Sequence, residues 1–325
     1  MLKRTLVLLS ALVLTLTSLA FAEGDLEITD TLLTEGAAVE NIYDPLPMDF
    51  SAGPKPDESA YTENGYDDGS ITVTVEKVQT EKAIFNVARV KLSDPSQFRT
   101  AVTARGRTNK ISTLAGNANA VIAIGGEYFA TDDGGYIVRM GEVQQDSKKK
   151  ARKSPYETRD LLAVDENGDM HILLRKRNGK PNNKSVNPDF TDQLRALTEA
   201  HTLVNVFDFG PALIIDGVKQ EQPAQYSFNL GKREPRCAIG QTGPLEYALV
   251  VVDTVKHHDR SGKEGATYED LAQFMADLGC QQAYNLDGGN SCLMVFHGEN
   301  YSDKTFNEER SVSDIIYFAT LVGQD

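Results

Sequence analysis

Apolar and polar residues alternate along Ile71-Thr72-Val73-Thr74-Val75 and again along Ile84-Phe85-Asn86-Val87-Ala88-Arg89-Val90. Period two predicts half-buried strands, and Thr80-Glu81-Lys82 between them predicts a β-hairpin. Asp94-Pro95 opens a short turn or helix. Ile111 to Asn117 reads as a helix with Thr108 or Asn109 near its cap. The apolar run Ala120–Ile124 is a buried strand that ends in Gly125-Gly126-Glu127-Tyr128-Phe129. Further strands are expected at Tyr136–Arg139, Leu161–Val164, Met170–Leu174, Val204–Phe207 and Ala212–Ile215. Later ones follow at Pro235–Gly240, Tyr247–Asp253 and Ile315–Phe318. Helical spacing returns at Asp189–Ala200 and after Thr267, where Leu271, Phe274, Met275 and Leu278 share one face. Thr267 and Asp270 stand at the reciprocal capping-box spacing, and Gly279 ends the helix. Together these elements predict an α+β fold: one strand-rich domain with few helices.

One stretch stands apart. Ala283 to Leu286 is apolar apart from Asn285, Asp287-Gly288-Gly289-Asn290-Ser291 is polar and glycine-rich, and an apolar run then continues to Phe296. Strand, tight polar turn, strand is the expected order, and a plain Gly-Gly hairpin fits the same letters. The turn gathers a carboxylate, an amide and a hydroxyl at the end of buried strands.

Composition divides the 325 residues into three parts. Lys3 and Arg4, an apolar run from Thr5 to Leu19 and Ala20-Phe21-Ala22 form a signal-peptide pattern over residues 1–22. Cleavage after Ala22 would release a secreted or cell-envelope protein with no stable membrane anchor. Residues 23–69 hold 13 Asp or Glu against Lys55 alone, with Pro45, Pro47, Pro54 and Pro56. They read as an acidic, disordered linker before a domain at 70–325. Most of the net charge of −14 falls in that segment, so the domain is nearly balanced and nucleic acid is not an expected partner. Lys148 to Lys153 is a basic loop. Cys237, Cys280 and Cys292 offer no CxxC pair and are expected as buried thiols, although a Cys280–Cys292 bridge fits the letters too.

Several apolar runs end in charge: Glu127, Asp208, Arg236, Asp253, Asp287 and, before the last run, Arg310. Carboxylates at strand ends supply a general base, an acid or a nucleophile, and arginines grip phosphate in bidentate fashion. The same residues could equally brace the sheets as ion pairs. No G-x-S-x-G elbow supports a serine hydrolase, and His257-His258-Asp259 is more simply an exposed loop than a metal site.

Asn285-Leu286-Asp287-Gly288-Gly289-Asn290-Ser291 resembles the N-L-D-G-G-G-S signature of phosphodiester glycosidases. Ala123–Phe129, Phe209-Gly210-Pro211-Ala212-Leu213 with Asp216-Gly217, Pro235–Gly240 and Glu309–Asp314 resemble further elements of that family, in the family's order. Gly125, Asn290 and Val255 depart from its pattern. The resemblance implies hydrolysis of a sugar-1-phosphodiester, such as an N-acetylglucosamine-1-phosphodiester, in envelope or extracellular glycans. The resemblance supplies the positions and the chemistry of the reaction suggests the roles: Asp287 as the principal carboxylate, Glu127 as a second acid and Asp208 as a further candidate. Arg236 and Arg310 would bind phosphate, while Gly288, Gly289, Asn290, Ser291 and Asp314 would line the substrate. It implies no cofactor and no metal, although an acidic turn of this kind can hold Ca²⁺. Two other readings stand beside it: a non-catalytic glycan-phosphate binding module, and a metal-dependent phosphodiesterase.

Overall fold

Glu246–Thr254 lies in the middle of the largest sheet and is almost wholly buried. Its side chains alternate between two cores, with Leu249 and Val251 on one face and Ala248, Val250 and Val252 on the other. Each of the buried valines and Leu249 stabilises the fold by about 1.5–3 kcal/mol. In this computed structural model that sheet has nine strands, all paired antiparallel. Ile71–Gln79 and Ala83–Leu92 form the expected hairpin, and the latter pairs with Glu246–Thr254. Arg236–Gly243, Gln282–Leu286 and Ala212–Ile215 follow across the sheet. The structure describes residues 42–104, 107–129, 135–146, 159–174, 188–223, 226, 228–256, 263–303 and 308–323.

Two five-stranded sheets pack with it. One runs Met170–Leu173, Leu161–Asp165, Leu203–Phe207, Tyr136–Arg139, Glu142–Asp146. The other runs Glu299–Asn300, Met294–Phe296, Ile122–Gly125, Asp314–Phe318, Phe98–Val102. Side chains from all three sheets meet in one core, among them Ile124, Phe207, Cys237, Leu286, Met294 and Phe318. The described α-helices are α1 (Ile111–Asn117), α2 (Pro188–Ala200) and α3 (Tyr268–Asp277). Leu271 and Met275 of α3 fill the core on the outer face of the large sheet. The fold is thus α+β and strand-rich with few helices. No described helix is long and apolar enough to cross a membrane.

The reciprocal cap on α3 forms as expected, with the Thr267 N–H donating to Asp270 Oδ2 at 2.9 Å and the Asp270 N–H to Thr267 Oγ1 at 3.2 Å. The cap of α1 does not. Lys110 occupies that position, and Asn109 instead pairs with Val312 in a short bridge. The three cysteines are free and buried. Residues 1–22, the basic loop 148–153 and His257-His258-Asp259 lie outside the described residues.

The expected linker is corrected over its second half. Residues 42–69 pack onto the domain, and Tyr61–Thr62 and Gly65–Asp67 extend the nine-stranded sheet. Arg99, 1% exposed, is the reason this proline-rich stretch can be ordered. Its guanidinium donates to the carbonyls of Pro47 (2.9 Å), Asp49 (2.9 Å) and Ser51 (3.3 Å), and its Nε donates to the Tyr317 hydroxyl at 3.0 Å. Backbone groups that no strand partner reaches are thereby satisfied. Arg99→Ala should destabilise the chain by about 2–4 kcal/mol. In denaturant melts with limited proteolysis, the first new cleavages should fall within residues 44–53.

Candidate functional site

The polar centre of the molecule lies where strand ends from the three sheets converge. Ile122–Gly125 delivers Glu127, Tyr136–Arg139 delivers Arg139, Leu203–Phe207 delivers Asp208, Gln282–Leu286 delivers Asp287, and Asp314–Phe318 begins with Asp314. Arg139 is fully buried and sits between two carboxylates. Its Nη2 donates to Glu127 Oε1 at 2.6 Å and its Nε to Asp314 Oδ2 at 2.6 Å. Nη1 donates to the Val138 carbonyl at 2.8 Å and also to the Val206 carbonyl. The guanidinium lies 3.8 Å from the Phe207 ring centroid. A buried guanidinium needs this much satisfaction, because an unpaired charge costs several kcal/mol in such a place.

The backbone fixes the same centre. The Glu127 N–H donates to Asp314 Oδ1 at 2.7 Å, the Gly126 N–H to the Asp314 carbonyl at 3.2 Å, and the Asp208 N–H to Glu127 Oε2 at 3.2 Å. Gly126 is required here. A Cβ at that position would stand 2.4 Å from Asp314 Oδ1 and 2.7 Å from its Cγ. Asp208 Oδ2 accepts from the Tyr136 N–H at 3.0 Å.

The glycine turn hangs on this centre through the Asp287 N–H, which donates to the Gly126 carbonyl at 3.1 Å. It is not a hairpin. Gln282–Leu286 belongs to the nine-stranded sheet, Met294–Phe296 pairs with Ile122–Gly125 in another, and a 3₁₀ turn at Gly289–Ser291 bridges them. Gly289 takes φ +60°, a left-handed backbone suited to glycine. Its N–H is already spent on the Pro235 carbonyl at 2.8 Å. Asn285 Nδ2 donates to the Gly210 carbonyl at 2.9 Å and ties the turn to the Phe209-Gly210-Pro211 segment, whose Gly210–Pro211 bond is cis.

Asp287 is partly buried. Burial pushes its carboxyl up to about 6, against the pull of the Ser291 side-chain hydrogen bond, the Arg310 charge and the Gly288 N–H. Arg310 is exposed, while Glu309 beside it accepts from the Ser112 N–H and hydroxyl at 2.7 Å each. That contact pins the Arg310 segment to the start of α1. Burial pushes Glu127 up to about 7, with Arg139 opposing and the charges of Asp314 and Asp208 adding to the rise. Burial raises Asp314 as well.

The structure therefore divides the residues singled out from the sequence. Asp287, Gly288 and Arg310 come together at the accessible side, with the exposed Asn290 next in the turn. Glu127, Asp208 and Asp314 form the buried floor. Ser291, 1% exposed, serves Asp287 rather than open solvent. Arg236 is placed otherwise. Its Nε donates to the Ala266 carbonyl at 2.8 Å, its Nη2 to those of Lys232 (2.9 Å) and Leu230 (3.2 Å), and it pairs with Glu234 at 3.3 Å. It braces the backbone beneath the turn. Asp253 is held by Asn86 and the Asp303 N–H.

Sequence reasoning missed Arg139, although an arginine closing an apolar run was the signal used for charge at other strand ends. It also missed Arg159, whose Nη2 donates to the Tyr128 hydroxyl at 3.0 Å and whose Nη1 donates to the Asp208 carbonyl at 3.3 Å. Arg159 precedes its strand, and no spacing marks it.

A profile of the phosphodiester glycosidase family matches residues 118–319, and the chain belongs to that family. The fold is similar to the zebrafish N-acetylglucosamine-1-phosphodiester alpha-N-acetylglucosaminidase catalytic domain, described as auto-inhibited by its pro-peptide. The TM-score is 0.56 at 13% identity, over 82% of this chain and 86% of that one. A hypothetical protein from Synechocystis aligns at TM-score 0.47 and 17% identity, over 76% of this chain and 62% of that one. A Burkholderia pseudomallei K96243 protein described as exported aligns at 0.47 and 14%, over 73% and 74%. No curated protein matches in sequence.

Gly126→Ala should force the Asp314 carboxylate off Arg139, cost about 3–5 kcal/mol in denaturant melts and disorder the turn that carries Asp287. The raised carboxyls set a second expectation. Glu127 and Asp287 start from ordinary values of 4.5 and 3.8 and rise to about 7 and about 6 on folding. Inside those windows the folded chain holds protons that the unfolded chain has released, so their contribution to stability falls as pH rises. Asp287→Asn removes one of the two. Its urea midpoint should gain on that of the unaltered chain between about pH 4 and pH 6 and keep the gain above.

Proposed function

We propose that this chain is an exported enzyme that hydrolyses a sugar-1-phosphodiester at the anomeric C–O bond, with Asp287 as the working carboxylate. The observation that carries the reading is the asymmetry of the acids. Asp287 sits on the accessible turn beside Arg310, whereas Glu127 and Asp314 are consumed by Arg139 below it. Family membership supports the class of reaction. A sugar-1-phosphodiester already carries a good leaving group, so the demand is for a carboxylate and a cation more than for a strong acid. Asp287 removes a proton from water as the water oxygen bonds to C1, or bonds to C1 itself to form an ester that water then cleaves, releasing the sugar and the free carboxylate. The C1–O bond breaks with its electron pair passing to the phosphate oxygen, and Arg310 meets the growing charge. Asn290, exposed beside them, orients the sugar or phosphate. Glu127, Arg139 and Asp314 hold Asp287 in register rather than touching substrate. Export rests on the basic and apolar start of the sequence with Ala20-Phe21-Ala22.

The test uses α-linked UDP-N-acetylglucosamine in ¹⁸O-water, with both products followed. Free N-acetylglucosamine carrying ¹⁸O is expected. Label in the phosphate would select P–O cleavage instead, and binding without turnover would select a glycan-phosphate binding module. Asp287→Asn should lower kcat by about 10²- to 10⁴-fold while remaining folded. Arg310→Ala should weaken kcat/KM by about 10- to 100-fold. Full activity in folded Asp287→Asn would sink the assignment.

A further inference from the structure

Away from the glycine turn, three side chains from separate elements meet at the far end of the Leu161–Asp165 strand. Asp165 closes that strand, His171 lies on the paired strand Met170–Leu173, and His201 follows the last turn of α2. Asp165 Oδ2 stands 3.0 Å from His171 Nε2 and 3.0 Å from His201 Nδ1, and all three atoms lie within 4.8 Å of one another. We propose that Asp165, His171 and His201 form a divalent-metal site, and that zinc is the ion suited to it.

The donor set is two imidazole nitrogens and one carboxylate oxygen, which zinc accepts with water or another oxygen in the fourth position. A zinc ion bonded at about 2.0–2.2 Å to each donor keeps neighbouring donors about 3.4 Å apart in a tetrahedron. The present spacings, 3.0 Å from the carboxylate oxygen to each imidazole nitrogen with all three atoms within 4.8 Å, bracket that value. Glu166 Oε1, 4.0 Å from His201 Nδ1, is at hand for the fourth position.

The carboxylate is pre-oriented in the manner of a metal ligand. Its other oxygen, Oδ1, accepts from the N–H groups of Asn167 (2.9 Å) and Asp169 (3.0 Å), which leaves Oδ2 facing the imidazoles. The Asp165 side chain is shut off from solvent, while those of His171 and His201 are 30% and 32% exposed. An ion can therefore enter from one side onto a fixed oxygen. The two rings lie 5.1 Å apart at 40°, so neither blocks the other.

The site is separate from the glycosidase chemistry. Asp160, at the opposite end of the same strand, accepts from the Ala212 N–H beside the Phe209–Pro211 segment. Five residue steps at about 3.3 Å each put Asp160 and Asp165 about 16 Å apart. Bound zinc would clip the end of α2 to the hairpin that carries Asp165 and His171.

The test takes the full chain, stripped with EDTA, and titrates it with zinc alone by calorimetry. One ion per chain and a rise in Tm are expected. Folded His171→Ala and His201→Ala chains should each weaken binding by about 100-fold or more, while His297→Ala should leave it unchanged. Mapping histidine modification on the unaltered chain removes any dependence on variant folding. Of the chain's five histidines, zinc should shield His171 and His201. The absence of stoichiometric binding, or shielding confined to other histidines, would overturn the proposal. So would full affinity in either folded alanine variant.

Discussion

A single guanidinium with no exposed surface joins the parts of this protein. Arg139 enters from one five-stranded sheet and meets Asp314 and Glu127, both supplied by the other. Arg139 cannot be spared, because two carboxylates left without their cation at this depth would cost several kcal/mol. With both carboxylates ionised the group would carry one excess negative charge in a dry place. Burial first, and then the neighbouring charges of Asp314 and Asp208, push Glu127 up to about 7 against the pull of Arg139. The ion pairs also fix direction. They leave little freedom for the backbone of Gly126, and Gly126 holds the amide of Asp287.

The accessible acid is therefore positioned by acids that are not accessible. Asp287 gains its raised proton affinity from partial burial, and its orientation from Ser291, the Gly288 N–H and the buried floor. Arg310 approaches from a segment that Glu309 ties to α1. Carboxylate and cation thus arrive on different segments: Asp287 follows Gln282–Leu286 of the large sheet, and Arg310 precedes Ser311–Val312, which pairs with Asn109–Lys110. The hydrolysis proposed above asks for one carboxylate and one cation near a phosphate, and these two side chains are the ones it would use.

Much of the fold was legible because strands and helices announce themselves by period. The alternation at Ile71–Val75, the capping box at Thr267 and the apolar face of α3 all became the elements their spacing predicts. The glycine turn was legible as a polar break between apolar runs. That its two flanking strands belong to different sheets was not, since letters on either side of a turn carry no record of their partners. Residues 42–69 were misread for a related reason. Acid and proline suggest chain without a core of its own, yet Arg99 and the edge of the large sheet supply what the segment lacks. Arg236 and Arg310 looked equivalent as arginines near strand ends, and the structure gives one to backbone carbonyls and the other to the accessible side.

The sequence by itself determined the element types, the strand-rich α+β class and the short list of acids at strand ends. These depend on local spacing and on the cost of burying charge, both of which are written in consecutive residues. Only the tertiary structure decided which acids stand in the floor and which at the accessible side. It also chose Arg139, a residue no motif marked, as the centre, and brought Asp165, His171 and His201 together. Ion pairing acts over a few ångströms in space and is indifferent to separation along the chain. Arg139 and Asp314 are 175 residues apart in sequence and 2.6 Å apart in the fold.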